Sequence, residues 1–394
     1  MKQQKKSIAK KEILIFIILT LLMAALGSSD SLRGIFTKIF QEHFQITTTQ
    51  VSMIITVSYI GNLFFLFAGG GIIDRFDKKK IFMFFLILWT SCVAAFALTD
   101  NFYILLAVIF FCMGASTLLS TTINMFIPAT FARSAGIAMN ILFCVHGIGA
   151  SLSQNLVGKY ATGFSSWQMM NSGFVVVGIF ISVMMLFFKI ANSKEKKEDK
   201  KSYRYVMKQK EFPYLVLIFG LYFVVEHGIM NWLILYGTNW LEMSTERAAM
   251  YLSIFFGTLT VGRLLFSPVV QKLGAAKSIS IFITGASILY VAGFLLGSKA
   301  LFLVSLSGVF FSIIFPTMIL LIQKCYTADC AATAVGCIVG VATVFDILFN
   351  AIFGKMVDTI GFGKAIFILP IGMVLYYVVY RVFLKRMSTT AEYV

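Results

Sequence analysis

Tyr222-Phe-Val-Val-Glu226-His227-Gly-Ile-Met-Asn231-Trp232 lies inside residues 214–235, a run otherwise long and apolar enough to cross a bilayer. A carboxylate, an imidazole and an amide are costly at that depth. Ionisable groups in spanning helices usually face a bundle interior or a water-filled cavity, where they mark a substrate or ion path. The other reading is a structural polar pair tying two helices together, since interhelical hydrogen bonds are a common use of such residues. The sequence around the stretch weighs the two.

Of the 394 residues, 59% are hydrophobic and 13% charged. With a mean hydropathy of +0.89, that is more apolar surface than a water-facing fold could hide. Apolar runs of about 20 residues occur at 13–39, 48–73, 81–98, 102–127, 135–158, 167–190, 213–239, 246–270, 278–296, 300–322, 332–354 and 365–384. Segments of that length in lipid must satisfy their own backbone, so the predicted fold class is an all-α membrane protein with twelve transmembrane helices.

The net charge of +16 does not call for nucleic acid. Lys and Arg crowd into alternate inter-span segments, as the positive-inside rule predicts. Only Lys38, Lys159, Arg247, Lys299, Lys355 and Lys364 fall on the other side, and Arg33 and Arg263 fall within spans. This asymmetry places both termini in the cytoplasm of a multi-pass protein, and the residue usage fits a bacterial cytoplasmic membrane. Cys92, Cys112, Cys144, Cys325, Cys330 and Cys337 show neither metal-ligand spacing nor a disulfide frame. They are expected to pack as small buried hydrophobes. No metal or cofactor is expected, and with no nucleophile elbow or phosphate loop an enzyme is not expected either.

Between spans six and seven, Ser193-Lys-Glu-Lys-Lys-Glu-Asp-Lys-Lys201 interrupts the apolar pattern. It divides the chain into a six-helix bundle at 1–191, a cytoplasmic linker at 192–212 and a second six-helix bundle at 213–394. Weak internal similarity relates the halves, as transporter folds often show. A shift of 197 residues lays Phe44–Met53 on Leu241–Met250 and sets Asp30 against His227; a shift of 196 lays Val157-Gly-Lys159 on Phe353-Gly-Lys355 and Gln154 on Asn350.

Helical spacing gathers the polar residues into stripes. Gly27, Asp30, Ser31 and Gly34 share a face of span one. Ser116, Ser120 and Asn124 share a face of span four, and His146, Gly149, Ala150, Ser153 and Gln154 one of span five, with Asn155 beside it. Thr343, Asp346, Asn350 and Gly354 do so on span eleven. Small residues alone would be ordinary helix packing. Costly Asp, Glu, His, Gln and Asn at matched places in both halves suggest a shared hydrated cavity.

Gly71-Ile-Ile-Asp74-Arg75-Phe-Asp77-Lys-Lys-Lys80, after span two, resembles the loop signature G-x-x-x-D-R-x-G-R-R of the major facilitator superfamily, with Asp77 in place of the second glycine. Ser267-Pro268-Val-Val-Gln271-Lys272-Leu-Gly274 is its degenerate counterpart, and with the twelve spans the resemblance covers the whole chain. A narrower resemblance, to the fucose permease and glucose/mannose proton-symporter group, rests on Tyr222-x-x-x-Glu226 with Asn231-Trp232, on Gly257-x-x-x-x-Gly262-Arg263-Leu-Leu, and on Ile314-Phe-Pro316-Thr317. Fucose permeases are expected to carry an acid on span four, where this chain has Asn124. Drug/proton antiporters of the superfamily carry Gly-Pro in span five, where this chain has Ser153-Gln154.

The resemblance implies alternating access by a monomer in the bilayer, with Asp74 near the cytoplasmic start of span eleven, where a helix dipole favours an anion, and Arg75 bracing the loop. Arg263 is a candidate for a matching gate role. The expected function is proton-coupled uptake of a monosaccharide or similar small polar solute; a proton-driven drug or metabolite exporter of the same fold is the alternative. Amides of Asn124, Gln154, Asn155, Asn231 and Asn350 and rings of Tyr222 or Trp232 suit a sugar. His146 and His227 are candidates to relay protons or hydrogen-bond it. The candidate proton carriers are Glu226, Asp30 and Asp346. Glu226 is preferred because Arg33, one helical turn from Asp30, makes Asp30–Arg33 a structural or gating pair, whereas Glu226 has only His227 beside it, about 100° around the helix.

Overall fold

The computed structural model describes residues 2–73, 77–131, 135–188 and 203–389, and among them helix is the only regular structure. In chain order the helices are α1 (Lys2–His43), α2 (Thr48–Ile73), α3 (Lys78–Leu98), α4 (Phe102–Thr130), α5 (Ala135–Tyr160), α6 (Phe164–Leu186), α7 (Tyr203–Met207), α8 (Phe212–Asn239), α9 (Thr245–Leu273), α10 (Ala275–Leu296), α11 (Phe302–Leu306), α12 (Gly308–Cys325), α13 (Ala328–Ile360), α14 (Phe362–Ala365) and α15 (Ile368–Thr389). Twelve helical stretches among the described residues are long and apolar enough to cross a membrane. Their order is that of the twelve predicted spans. The tenth comprises α11 and α12, and the twelfth α14 and α15. Asp74, Arg75 and residues 192–202 of the expected linker lie outside the described residues.

The chain sets its helix starts with local chemistry. Asp77, Asn101 and Ser244 are extended at the N-caps of α3, α4 and α9, and their side chains accept from backbone N–H groups of the first turn. Asp77, the departure from the loop signature, accepts from the Lys80 N–H at 3.0 Å, so it satisfies one of the donors a helix start leaves unpaired. Gly274 joins α9 directly to α10 at φ 77°, and Gly361 joins α13 to α14 at φ 79°. Those left-handed backbones favour glycine and let consecutive helices turn without a long loop.

Two compact units result, one containing α1–α6 and the other α7–α15, with Thr47–Ser52 grouped with the second. In the first, α1 packs on α5 and α6, and α3 on α4 and α6. In the second, α8 packs on α13 and α15, and α10 on α12 and α15. Spans one and five of the first unit are therefore partners, as spans seven and eleven are in the second. The helix pair that bears the polar stripes is the same in each.

Candidate functional site

In the first unit the α1–α5 contact is backbone to backbone. A Cβ built on Gly27 would lie 2.1 Å from the His146 carbonyl oxygen, and one on Gly149 would lie 2.4 Å from that of Ala24. Small residues at such crossings let helices approach closely and bond across the seam. Ser28 Oγ donates to the Gly149 carbonyl at 3.0 Å, Ser31 Oγ and Ser153 Oγ are 2.8 Å apart, and Gln154 Nε2 donates to the Ser31 carbonyl at 2.6 Å. Gln154 is fully buried, and its Oε1 has no hydrogen-bond partner.

Beside this seam, Asp30 Oδ2 accepts from Ser116 of α4 at 2.8 Å and lies 4.0 Å from His146 Nε2 of α5. Its other oxygen is buried without a hydrogen bond. Arg33 meets Asp30 at the backbone: its Nε donates to the Asp30 carbonyl at 3.0 Å, and its guanidinium lies 5.7 Å from the Tyr59 ring centroid. The i, i+3 spacing therefore brings the two residues together through the main chain, where a carboxylate–guanidinium pair was expected. Arg33 Nη1 is buried and unpartnered. The residue also lines a cavity of about 10 Å³ with Ser29, Cys112, Met113 and Trp167, room for at most one water. Asn124 is half-buried and two turns beyond Ser116 on α4, while Asn155 is exposed and turned off the seam that Gln154 occupies.

The second unit collects the polar residues of α8 and α13 into one chain. The two nitrogens of the His227 ring each face a carboxylate. Nδ1 is hydrogen-bonded to Asp346 Oδ2 of α13, and Nε2 lies 3.9 Å from Glu226 Oε2 on its own helix. Glu226 and Asp346 are 5% and 1% exposed, whereas the His227 side chain keeps 23% of its surface. Phe223, one turn earlier, stacks on the imidazole with centroids 5.2 Å apart and planes 6° from parallel. Further along, Trp232 Nε1 donates to Asn350 Oδ1 at 2.8 Å, and Asn350 Nδ2 donates to the Asp346 carbonyl at 2.8 Å.

The aromatic candidates have no free face. Trp232 is fully buried against Phe353, and Tyr222 fully buried among Phe311, Phe315 and Tyr376. Asn231 is 6% exposed. Arg263 of α9 is itself exposed, and its Nε donates to the Ser312 carbonyl at 3.2 Å. Its charge acts on Glu226.

Periodicity on single helices anticipated the face that Asp346 shares with Asn350. It gave no sign that Ser116 would hold Asp30, Tyr59 lie under Arg33 or Ser312 receive Arg263, because each of those contacts joins different helices. Among the described residues no group of His, Cys, Asp and Glu is arranged to hold a metal.

A family profile described as Major Facilitator Superfamily matches residues 14–344. A Helicobacter pylori (strain J99) protein whose name proposes a glucose/galactose transporter is 28% identical over 167 residues, 42% of this chain and 40% of that protein. The match thus spans less than half of that relative. A solved nucleoside transporter superposes with a TM-score of 0.79 at 14% identity, over 94% of this chain and 99% of the other. An Escherichia coli fucose:proton symporter does so at 0.66 and 17% identity, with the same coverage. At such identities the two structures speak for a shared fold.

Proposed function

The chain belongs to the Major Facilitator Superfamily, and from that premise we propose that it is a secondary active transporter for proton-coupled uptake of a monosaccharide or similar small polar solute. The observation that carries the reading is the buried group of Glu226, His227 and Asp346 inside spanning helices. Two carboxylates and an imidazole in that setting are expensive, and such residues mark substrate and ion paths. Exchange of a proton at such a group is what couples a solute to the proton gradient.

In this reading Glu226 is the carboxylate through which the proton is loaded and released, and Asp30 and Asp346 belong to the same coupling machinery. Asn124, His146, Gln154, Asn155, His227, Asn231 and Asn350 offer amide and imidazole hydrogen bonds to hydroxyl groups. Tyr222 and Trp232 contribute by shaping the helix contacts behind them. Arg33, Asp74, Arg75 and Arg263 act in gating as access alternates. The protein works as a monomer in a bacterial cytoplasmic membrane with both termini inside. The name of the Helicobacter pylori relative and the fold shared with the fucose:proton symporter support a sugar as the solute.

The test is the current from purified protein in proteoliposomes on a solid-supported membrane, challenged with hexoses, 6-deoxyhexoses, disaccharides and lipophilic cations. A sugar-evoked inward current that Glu226→Gln abolishes, while sugar exchange at equal concentrations survives, is the expected result. Current evoked by a lipophilic cation and by no sugar overturns the reading in favour of an exporter.

A further inference from the structure

We propose that the coupling proton rests on His227, held as an imidazolium between Glu226 of its own helix and Asp346 of α13. The proposal rests on the proton-coupled reading and names the group within it that bears the charge.

The first argument is the donor count. A neutral imidazole has one N–H and one lone pair, and an imidazolium has two N–H donors. His227 presents Nδ1 to Asp346 and Nε2 to Glu226. A neutral ring would turn its lone pair toward one of two carboxylates. The doubly protonated ring hydrogen-bonds Asp346 and turns a positive N–H edge, 3.9 Å away, toward Glu226.

The second argument is charge. From α8 the ring is faced by Glu226, on which Tyr222 one turn earlier acts, and from α13 by Asp346. Arg263 of α9 and Tyr376 of α15 act on Glu226, and α12 contributes the apolar rings of Phe311 and Phe315. With both carboxylates ionised and Arg263 positive, a neutral His227 leaves this group at net −1, and an imidazolium brings it to zero. Uncompensated charge is the costly state in a buried site. Asp346 sharpens the case: at 1% exposure its Oδ1 has no hydrogen-bond donor, so His227 is the neighbour that compensates its charge.

The third argument is access and aim. Of the three groups His227 keeps the most surface, so a proton passed on from Glu226 rests on the member most open to water. Phe223 stacked on the ring fixes its plane, and a π-face favours a cationic ring. The first unit supplies an internal contrast. There His146 Nε2 lies 4.0 Å from Asp30 Oδ2, so a single carboxylate bears on that ring where two bear on His227.

The chain has three histidines, which makes the test direct. Protein labelled with 15N in its imidazoles is placed in lipid nanodiscs, and its ring nitrogens are followed by NMR from acid to alkaline pH. Loss of a signal in His227→Gln assigns that residue, and His43→Gln and His146→Gln give the same assignment by elimination if the first variant does not fold. The expected result is a doubly protonated His227 at a pH where His146 is neutral. In Glu226→Gln/Asp346→Asn at that same pH, the imidazolium population of His227 falls about tenfold or more, the effect of removing opposite charges at this range. A neutral, singly protonated His227 at every pH the fold tolerates overturns the proposal, as does an unchanged population in the double variant. No sugar is needed, so a failed sugar current with a charged His227 removes the substrate reading and leaves this one standing.

Discussion

Arg263 Nε donates to the carbonyl of Ser312, and Ser312 is the residue four before Pro316 in α12. A helical carbonyl normally accepts from the N–H four residues on, and proline has none to give. Arg263 therefore supplies from α9 the donor that Pro316 removed from α12, at membrane depth where no lipid group can replace it. The two family-like motifs, Gly262-Arg263-Leu-Leu and Phe315-Pro316-Thr317, are one device. Arg263→Leu is expected to lower the unfolding temperature in detergent or nanodiscs. Adding Pro316→Ala restores a helical donor to Ser312, and the double variant is expected to be the more stable of the two. Additive losses in the double-mutant cycle would show that the carbonyl is not what joins the motifs.

The Trp232–Asn350 bond predicts a different cycle. Asn350→Leu strands the buried indole N–H and takes from the Asp346 carbonyl its side-chain donor, at a cost of about 1–3 kcal/mol in unfolding free energy. Trp232→Phe in the same chain removes the orphaned donor. Chemical denaturation is expected to find the pair of substitutions less costly than the sum of the singles.

Gly27→Ala places a methyl group against the His146 carbonyl, where there is no flexible side chain to give way. Overpacking of this kind costs about 1–3 kcal/mol. It also moves the backbone that carries His146, so the variant is expected to lose transport rate together with thermal stability. Gly173→Ala, inside α6 with open space around its Cβ position, is the control and should leave both near wild type.

Asp77 replaces a glycine of the loop signature and caps α3. Asp77→Ala is expected to cost about 0.5–2 kcal/mol, whereas Asp77→Gly, the signature residue, costs a few tenths. Thermal unfolding of the two variants side by side separates the cap from a role in the loop itself.

The twelve spans could be read from the sequence because length and hydropathy in lipid leave one structural answer. Their ends were less visible. α1 is helical to His43, past the predicted end at 39, and α13 runs from Ala328 to Ile360 where 332–354 was expected, because polar residues continue a helix as readily as they end one. Within the site, the spacing of Asp346 and Asn350 fixed a shared face. It could not say which neighbour that face would meet. Trp232 and Tyr222 read as aromatic surfaces for a ligand, yet both are sealed by rings from other helices. Asn155 read as lying beside the span-five stripe, and one step around the helix carries it into the open.

The Asp30–His146 and His227–Asp346 pairs are the same chemistry with its partners exchanged: α1 carries the acid in the first unit, and its equivalent α8 carries the imidazole in the second. The register that lays Gln154 on Asn350 lays His146 on Ala342, one helical turn before Asp346, so the partner in the second half stands a turn away from its counterpart in the first. A column-by-column comparison of the halves sees only divergence here. What has been kept is a relationship across a helix seam, and the reciprocal exchange His227→Asp with Asp346→His would rebuild in one half the order native to the other.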